Sequence, residues 1–319
     1  MQSIHFLTRI LIASLLLTTI MSVAAHFTSA HAQTSSDCYK GLVMPETNNS
    51  RAIKVPPVIL IHGYIENAAA WFNWEPLLQK NGIPFCTVSF HSNDPCGTAI
   101  DHANELGQII QKVKEYAHEK GIMSNQVNIV GHSKGGLDAR QYLAHNYNHD
   151  IANLIMIGTP NGGDPLANPL AIAAKFASIY TSNNSSNTVD FCTPALYDLQ
   201  TNANDTMSAE NNNTKYYTIY GDWTPGLGGN FCSQPAAQSV GKWAVLDWPG
   251  IETWDYYSLY FMNNFVPGST IPNDGIVPAS SVESLPHHIS LGSTHNCHTS
   301  LLNRPEYELA KKVLNPGLS

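Results

Sequence analysis

Short apolar runs separated by turn-forming residues recur along the chain and predict buried β-strands. The first run, 58–61, follows directly after Pro56 and Pro57, and the later runs are similarly brief. An apolar run of this kind, bounded by turn residues, is typical of a strand covered on both faces of a sheet. The predicted strands are 58–61, 85–90, 127–130, 154–157, 216–220 and 289–291.

Helical periodicity fills the spaces between these runs. Apolar residues recur at spacings of three and four in the segment 99–119, as expected for one buried stripe of a helix (Leu106, Ile109, Ile110 and Val113). A second helix is predicted after Gly135, with Leu137, Tyr142 and Leu143 facing inward, and a closing helix at 305–314. Strands that alternate with helices predict an α/β fold with a mostly parallel central sheet and helices on both faces.

Composition narrows the class of protein. The 319 residues are 43% hydrophobic and only 13% charged, about half the charged share of an average soluble domain. Such a chain is globular rather than disordered or coiled coil. The formal net charge is −8 and no run is rich in Lys or Arg, so a phosphate backbone would be repelled. We therefore expect no nucleic-acid partner.

The first 32 residues are predicted to be a secretory signal peptide. Arg9 precedes an apolar run at 10–25, which is followed by Ala30-His31-Ala32. A positive residue, a short apolar run and an Ala-x-Ala site define such a peptide, with cleavage after Ala32. A membrane anchor is the alternative, but the run is shorter than the roughly 20 residues that span a bilayer. We expect a secreted protein, extracellular or periplasmic, whose single domain covers 33–319.

Export changes the interpretation of the cysteines. They form an even set of six without a Cys-x-x-Cys pair, which favours disulfide bonds over a zinc cluster (Cys38, Cys86, Cys96, Cys192, Cys232 and Cys297). Several pairings remain open: Cys192 with Cys232, and Cys86 with either Cys38 or Cys96.

Two long irregular stretches, at about 161–214 and 222–272, interrupt the alternation. The second carries four of the six tryptophans and several other aromatic residues. Long loops inside a compact domain are usually functional, and aromatic rings line both binding sites and cores. We interpret the stretches as lid or cap insertions; the alternative is a subdomain whose aromatic residues fill its own core.

The strongest local motif is the segment 131–136, Gly-His-Ser-Lys-Gly-Gly, between a predicted strand and a predicted helix. A serine at a sharp strand-to-helix turn has strained backbone, and glycines two residues to either side let strand and helix pack closely. This turn exposes the hydroxyl of Ser133 as a candidate nucleophile. The context matters, because Gly-x-Ser-x-Gly alone also arises by chance.

A nucleophilic serine needs a histidine base and a carboxylate that orients the base, in the chain order Ser, Asp or Glu, His. Asp274, within Asn-Asp-Gly-Ile-Val-Pro, is the candidate acid, and Asp222 is its rival. His298, 24 residues after Asp274, is the candidate base, and His295 is its rival. Each of these residues also has an ordinary interpretation, as part of a turn or a polar loop.

An oxyanion hole would complete the catalytic set. It needs two backbone N–H groups, which we assign to Lys134, after the nucleophile, and to Tyr64, in the loop after the first strand. Gly63 would let this loop turn beside the substrate, whereas His62 is interpreted as a packing residue.

Six segments in this order resemble the α/β-hydrolase superfamily and, within it, the secreted bacterial-type triacylglycerol lipases and carboxylesterases. They extend from about residue 56 to the C-terminus, although the insertions match poorly: 58–64 (ending HGY), 127–140 (VNIVGHSKGGLDAR), 155–163 (IMIGTPNGG), 216–221 (YYTIYG), 273–278 (NDGIVP) and 298–302 (HTSLL). The resemblance implies Ser133, Asp274 and His298 as the catalytic triad and mobile elements above the site. Some related lipases hold calcium through an aspartate two residues after the histidine; that position is Ser300 here, so we expect no metal or cofactor.

The expected activity is hydrolysis of carboxylic esters by a monomer whose partner is a lipid or other ester substrate, with contact to a lipid–water interface. Other functions stay open. One is a catalytically inactive hydrolase-fold binding module. Others are a polyester hydrolase, a peptidase or an acyltransferase, which would use the same triad on other bonds or acceptors.

Overall fold

The computed structural model describes residues 38, 41–45, 55–64, 66–88, 90, 96–145, 150–164, 167, 193–200, 213–222 and 272–318. The predicted signal peptide at 1–32 lies outside these residues. So do most of the first predicted insertion and nearly all of the second.

A six-stranded sheet forms the centre of the described fold, in the order β2-β1-β3-β4-β5-β6, and every neighbouring pair is parallel. The sequence predicted each strand, although β2 is shorter and β3 to β6 are longer than expected. The strands are β1 (Val58–Ile61), β2 (Phe85–Val88), β3 (Val127–His132), β4 (Ile151–Ile157), β5 (Lys215–Gly221) and β6 (Ile289–Thr294). The predicted α/β class is confirmed.

Helices connect and cover the strands. The predicted helix 99–119 is present with those bounds, and Thr98 and Asp101 form a capping box at its start. The helix after the Gly-His-Ser turn begins at Lys134, and the closing helix begins at Arg304 with Pro305 in its first turn. The helices are α1 (Glu75–Lys80), α2 (Ala99–Glu119), α3 (Lys134–His145), α4 (Thr193–Tyr197), α5 (Ala279–Val282) and α6 (Arg304–Leu314).

Alternate residues of the strands build two separate cores. On one face, Ile59 and Ile129 pack with the apolar stripe of α2. On the other face, Leu60 and Val130 pack with α1 and α6. All four residues of β1 are buried, which explains why this strand is a continuous apolar run rather than an alternating one.

One predicted disulfide alternative is present. Cys38 and Cys86 are bonded, which ties the chain before β1 to β2. Cys96 and Cys297 each take part in a disulfide as well. The predicted pair of Cys192 and Cys232 lies outside the described residues.

We found no helix in the described part of the chain that is both long enough and apolar enough to cross a membrane.

Candidate active site

Ser133 lies at the sharp turn between β3 and α3 and has a φ of +50°. This left-handed conformation is unfavourable for a residue with a side chain and is found where function requires it. The amide of Ser133 donates to the carbonyl of Ile157 on β4 (2.9 Å), which holds the turn against the neighbouring strand. Ser133 thus occupies the strained turn that the motif predicted.

The glycines around Ser133 are required by close backbone contacts. A Cβ on Gly135 would lie 2.5 Å from the carbonyl oxygen of His62, and one on Gly131 would lie 2.6 Å from the amide nitrogen of Gly136. Real Cβ atoms do not approach backbone this closely, so α3 can pack on β1 and β3 only with glycine at these positions.

Asp274 and His298 form a buried hydrogen-bonded pair. The Nδ1 of His298 lies 2.7 Å from the Oδ2 of Asp274, whose side chain has no exposed surface. The other oxygen of Asp274 accepts from the amides of Ile276 (3.0 Å) and Val277 (2.6 Å). These two amides fix the carboxylate, and a carboxylate can only accept, so Nδ1 of His298 carries the proton.

The end of β4 closes against this pair. Gly158 has a φ of +58°, and a Cβ there would lie 3.2 Å from both the Oδ2 of Asp274 and the Cε1 of His298. Gly158 directly follows β4, which lies parallel to β3. The Asp274–His298 pair and the turn at Ser133 therefore lie at the same end of the sheet, where the strands have their carboxyl ends.

The rival acid and base, Asp222 and His295, contact each other through a backbone atom and not through their side chains. The imidazole of His295 is exposed, and its Nδ1 lies 3.2 Å from the backbone carbonyl of Asp222. The structure therefore brings together Asp274 and His298, and it gives His295 a backbone partner instead of a carboxylate.

The two residues chosen for their backbone N–H groups flank the serine turn. Gly63, before Tyr64, is so close that a Cβ on it would lie 2.9 Å from the Cβ of Ser133. Lys134 is the first residue of α3, where helix N–H groups have no intrahelical partner and the helix dipole favours a negative charge.

The side chain of Lys134 belongs to a buried charge cluster that the sequence analysis missed. Its Nζ lies 2.6 Å from the Oδ1 of Asp138 and 4.0 Å from the Oδ2 of Asp198. The Nδ1 of His102 lies 2.9 Å from the other oxygen of Asp138. The four-residue spacing of Lys134 and Asp138 on one helix could have revealed the first contact.

Burial and charge act in opposite directions on the two carboxyls of this cluster. Burial would raise the pKa of Asp138, but the charges and hydrogen bonds of Lys134 and His102 lower it. For Asp198, which lies further from Lys134, burial prevails and its pKa is raised.

The described part of the first insertion covers the loop after β1. Tyr64 packs against an apolar cluster formed by Leu137 of α3 and by residues of the insertion (Ala167, Leu196 and Leu199). An apolar wall therefore stands beside the predicted oxyanion loop. Within the described residues, no group of three or more His, Cys, Asp or Glu side chains is arranged to bind a metal ion.

Comparisons with known proteins agree with this architecture. The family model described as the alpha/beta hydrolase fold matches residues 56–266. The chain belongs to the α/β-hydrolase fold family, as the sequence motifs implied.

Two curated relatives are triacylglycerol lipases. The chain is 31% identical over 99 residues to triacylglycerol lipase 2 of Saccharomyces cerevisiae, covering 30% of this chain and 29% of the relative. It is 31% identical over 120 residues to a triacylglycerol lipase of Pseudarthrobacter phenanthrenivorans, covering 35% of each. The matches thus span about a third of the length of these relatives.

Among solved structures, the mature Bacillus licheniformis lipase BlEst2 aligns with a TM-score of 0.57 at 21% identity. The alignment covers 85% of this chain and 95% of that structure. A metagenomic carboxyl esterase aligns with a TM-score of 0.52 at 14% identity, covering 85% and 80%. At such identities the likeness extends to the fold.

Proposed function

We propose that this protein is a serine hydrolase of carboxylic esters, of the lipase or esterase type, with Ser133 as nucleophile, His298 as base and Asp274 as the acid that orients the base. The observation that carries the proposal is the 2.7 Å contact between buried Asp274 and His298 at the sheet edge where Ser133 occupies its strained turn. The partial similarity to triacylglycerol lipases supports the same chemistry.

The mechanism follows from the hydrogen bonds of His298. Its Nδ1 donates to Asp274, so in the neutral imidazole Nε2 carries no proton and takes the proton of Ser133 as Oγ attacks the ester carbonyl carbon. The amides of Tyr64 and Lys134 then donate to the oxygen that becomes negative. When the C–O bond breaks, the proton on His298 passes to the leaving alcohol and an acyl-enzyme remains.

Water completes the cycle by the same route. His298 removes a proton from a water molecule as its oxygen attacks the acyl carbon. The Tyr64 and Lys134 amides again donate to the carbonyl oxygen, which becomes negative. The proton returns to the Oγ of Ser133, and the carboxylic acid leaves. Overall, one ester and one water yield one acid and one alcohol.

The substrate class is proposed as an ester with an apolar acyl group. The apolar cluster beside Tyr64 supports this choice, because an alkyl chain gains free energy when it leaves water. The aromatic-rich composition of 222–272 supports the same choice of substrate. Hydrolysis of palmitate esters or triolein would identify a lipase, whereas activity confined to butyrate would identify an esterase.

The test of the chemistry uses purified protein with p-nitrophenyl esters and a fluorophosphonate probe. Wild type should hydrolyse the esters and carry the probe on Ser133, and Ser133→Ala should lose both properties. Ser290→Ala, which removes a hydroxyl on β6 that bonds to Glu283, is the matched control and should retain both. A Ser133→Ala protein that still turned over would contradict the proposal, and an unlabelled wild type would favour an inactive binding module.

We also propose that the protein is secreted. The apolar run at 10–25 and the Ala-x-Ala site support export, and the Cys38–Cys86 disulfide is typical of proteins in oxidising compartments. The exported protein should begin at Gln33, which N-terminal sequencing would reveal. An uncleaved N-terminus would indicate a membrane anchor.

A further inference from the structure

A further histidine–carboxylate pair, His132 with Glu66, lies beside the Asp274–His298 pair. The Nδ1 of His132 is 2.8 Å from the Oε2 of Glu66, and the imidazole of His132 is almost entirely buried. On the other side of this ring, Nε2 is 3.1 Å from the backbone carbonyl oxygen of His298. The rings of His132 and His298 are 4.9 Å apart between centroids.

Both nitrogens of His132 face groups that accept hydrogen bonds. A backbone carbonyl can only accept, and the Oε2 of Glu66 already accepts from the amide of Gly63 (2.7 Å). His132 can satisfy both oxygens only by donating from both nitrogens. The geometry therefore points to an imidazolium ion at His132 and a carboxylate at Glu66.

The surrounding charges favour the same state. Burial alone would lower the pKa of His132, but the charge and hydrogen bond of Glu66 raise it, with help from the charge of Asp274 and the carbonyl of His298. Burial would likewise raise the pKa of Glu66, yet His132, the Gly63 amide and His62 lower it to about 2.

This ion pair connects three segments with separate roles in the proposed mechanism. Glu66 holds the amide of Gly63, next to the oxyanion donor Tyr64. His132 precedes Ser133 in the chain, and its Nε2–H donates to the backbone of His298. The oxyanion loop, the nucleophile and the base are thus joined by three hydrogen bonds through two side chains.

We propose that Glu66 and His132 are positioning residues: a carboxylate–imidazolium pair, with its imidazolium buried, that holds the oxyanion loop, Ser133 and His298 in their relative positions. This inference rests on the proposed function. Neither side chain takes a proton from Ser133 or bonds to the ester in that mechanism, so the pair acts through the three segments it connects.

The variant Glu66→Gln tests the pair because it keeps the size of the side chain and removes its charge. Without the carboxylate, burial lowers the pKa of His132, and the neutral ring can donate from only one nitrogen. One of its two contacts is then lost. We expect kcat for p-nitrophenyl butyrate to fall about ten- to a hundredfold at pH 8, with KM changed less than about twofold.

The dependence of this loss on pH separates positioning from simple destabilisation. At low pH His132 is protonated in both proteins, so the ratio of wild-type to variant kcat should be smallest there. The ratio should rise as the pH passes through the lowered pKa of His132 in the variant. A ratio independent of pH, or an unchanged kcat, would overturn the proposal.

A matched control is available in the pair of His288 and Glu283. Their side chains lie 3.0 Å apart and are partly exposed. Glu283→Gln removes the same charge from the same type of pair, and it should leave kcat and its pH profile unchanged. An equal loss in this control would mean that the effect of Glu66→Gln is not specific to the site.

Nitrogen NMR of the wild-type protein tests the pair without any activity measurement. We expect both ring nitrogens of His132 to be protonated at pH 7 and one of them to lose its proton in Glu66→Gln. A singly protonated His132 in wild type would overturn the inference even if esterase activity were established. If the proposed function itself were wrong, Ser133→Ala would still hydrolyse the ester, which is a different result.

Discussion

The Nδ1 of His298 and the Oδ2 of Asp274 are 2.7 Å apart although 24 residues separate them in the chain, and a second bond joins the amide of His298 to the carbonyl of Asp274 (2.9 Å). Both the backbone and the side chain of His298 are therefore held by Asp274. With two amides holding the other carboxylate oxygen, the imidazole has a single favourable tautomer.

Asp274→Asn should abolish most of the esterase activity, although the two side chains have nearly the same shape. The amides of Ile276 and Val277 would retain the Asn oxygen, which leaves the NH₂ group facing Nδ1 of His298. His298 would then carry its proton on Nε2 and could not accept one from Ser133. We expect kcat to fall about 10⁴-fold on p-nitrophenyl butyrate.

The control for this variant is Asp222→Asn, because Asp222 is the rival acid and contacts His295 only through its backbone carbonyl. It should keep its activity, and circular dichroism should report unchanged folding for both proteins. The reverse result would assign the acid to Asp222.

His298→Ala and His295→Ala should differ by orders of magnitude. His298 is buried against Asp274, whereas His295 is exposed and near a carbonyl. Loss of the base should reduce kcat by at least about 10³-fold, and loss of His295 should change it less than twofold. The measurement is kcat on the same ester, and retained activity in His298→Ala together with inactive His295→Ala would reverse the assignment.

The local elements of this fold could be predicted because each has a local cause. A four-residue apolar run after Pro57 has to be a short buried strand, and the spacing of apolar residues in 99–119 matches one face of a helix whose bounds the structure reproduces. The strained turn at Ser133 was predictable for the same reason, since its glycines are adjacent in the chain.

Contacts between distant segments could not be derived in this way. Glu66 and His132 are 66 residues apart, and nothing in either neighbourhood specifies the other. The pairing of Cys38 with Cys86 was one of several alternatives, because six cysteines alone do not determine their partners. The catalytic roles of Ser133, Asp274 and His298 stay predictions until the variants are measured.

Gly135→Ala should destabilise the protein through its backbone contacts. The new methyl group would overlap the carbonyl oxygens of His62 and Ile61, at 2.5 and 2.6 Å, and neither strand β1 nor helix α3 can retreat without opening the core. We expect the free energy of unfolding in urea to fall by about 2–3 kcal/mol.

Gly317→Ala is the control for this prediction, because among the described residues beyond its chain neighbours the new methyl group would contact only the side-chain oxygen of Asn315, at 3.3 Å. It should change stability by less than about 0.5 kcal/mol. Equal effects of the two substitutions would contradict the steric explanation.

Asp138→Asn should lower stability at neutral pH and lose this effect in acid. Asp138 and Lys134 are both buried and their charged groups are 2.6 Å apart. The neutral amide would leave a buried ammonium with the Nδ1 of His102 3.2 Å away and the carboxylate of Asp198 4.0 Å away. Removing one partner of a buried pair costs about 3–5 kcal/mol, and the second carboxylate should hold the loss near the lower limit. Glu308→Gln, in the exposed pair with Arg304 at the same four-residue spacing, should leave the urea midpoint unchanged.

The pH at which the difference disappears follows from the pKa of Asp138. Folding lowers this pKa below its ordinary value of 3.8, so the folded state binds the proton less readily than the unfolded chain. The stability from Asp138 is therefore complete above about pH 5 and is lost as the pH falls below 3.8 through the lower folded pKa. Urea unfolding of wild type and Asp138→Asn at pH 7, 5, 4 and 3 should give curves that converge only at the acid end. A difference that stayed constant to pH 3 would mean that the carboxylate charge contributes nothing, and that the loss comes from the altered shape of the side chain.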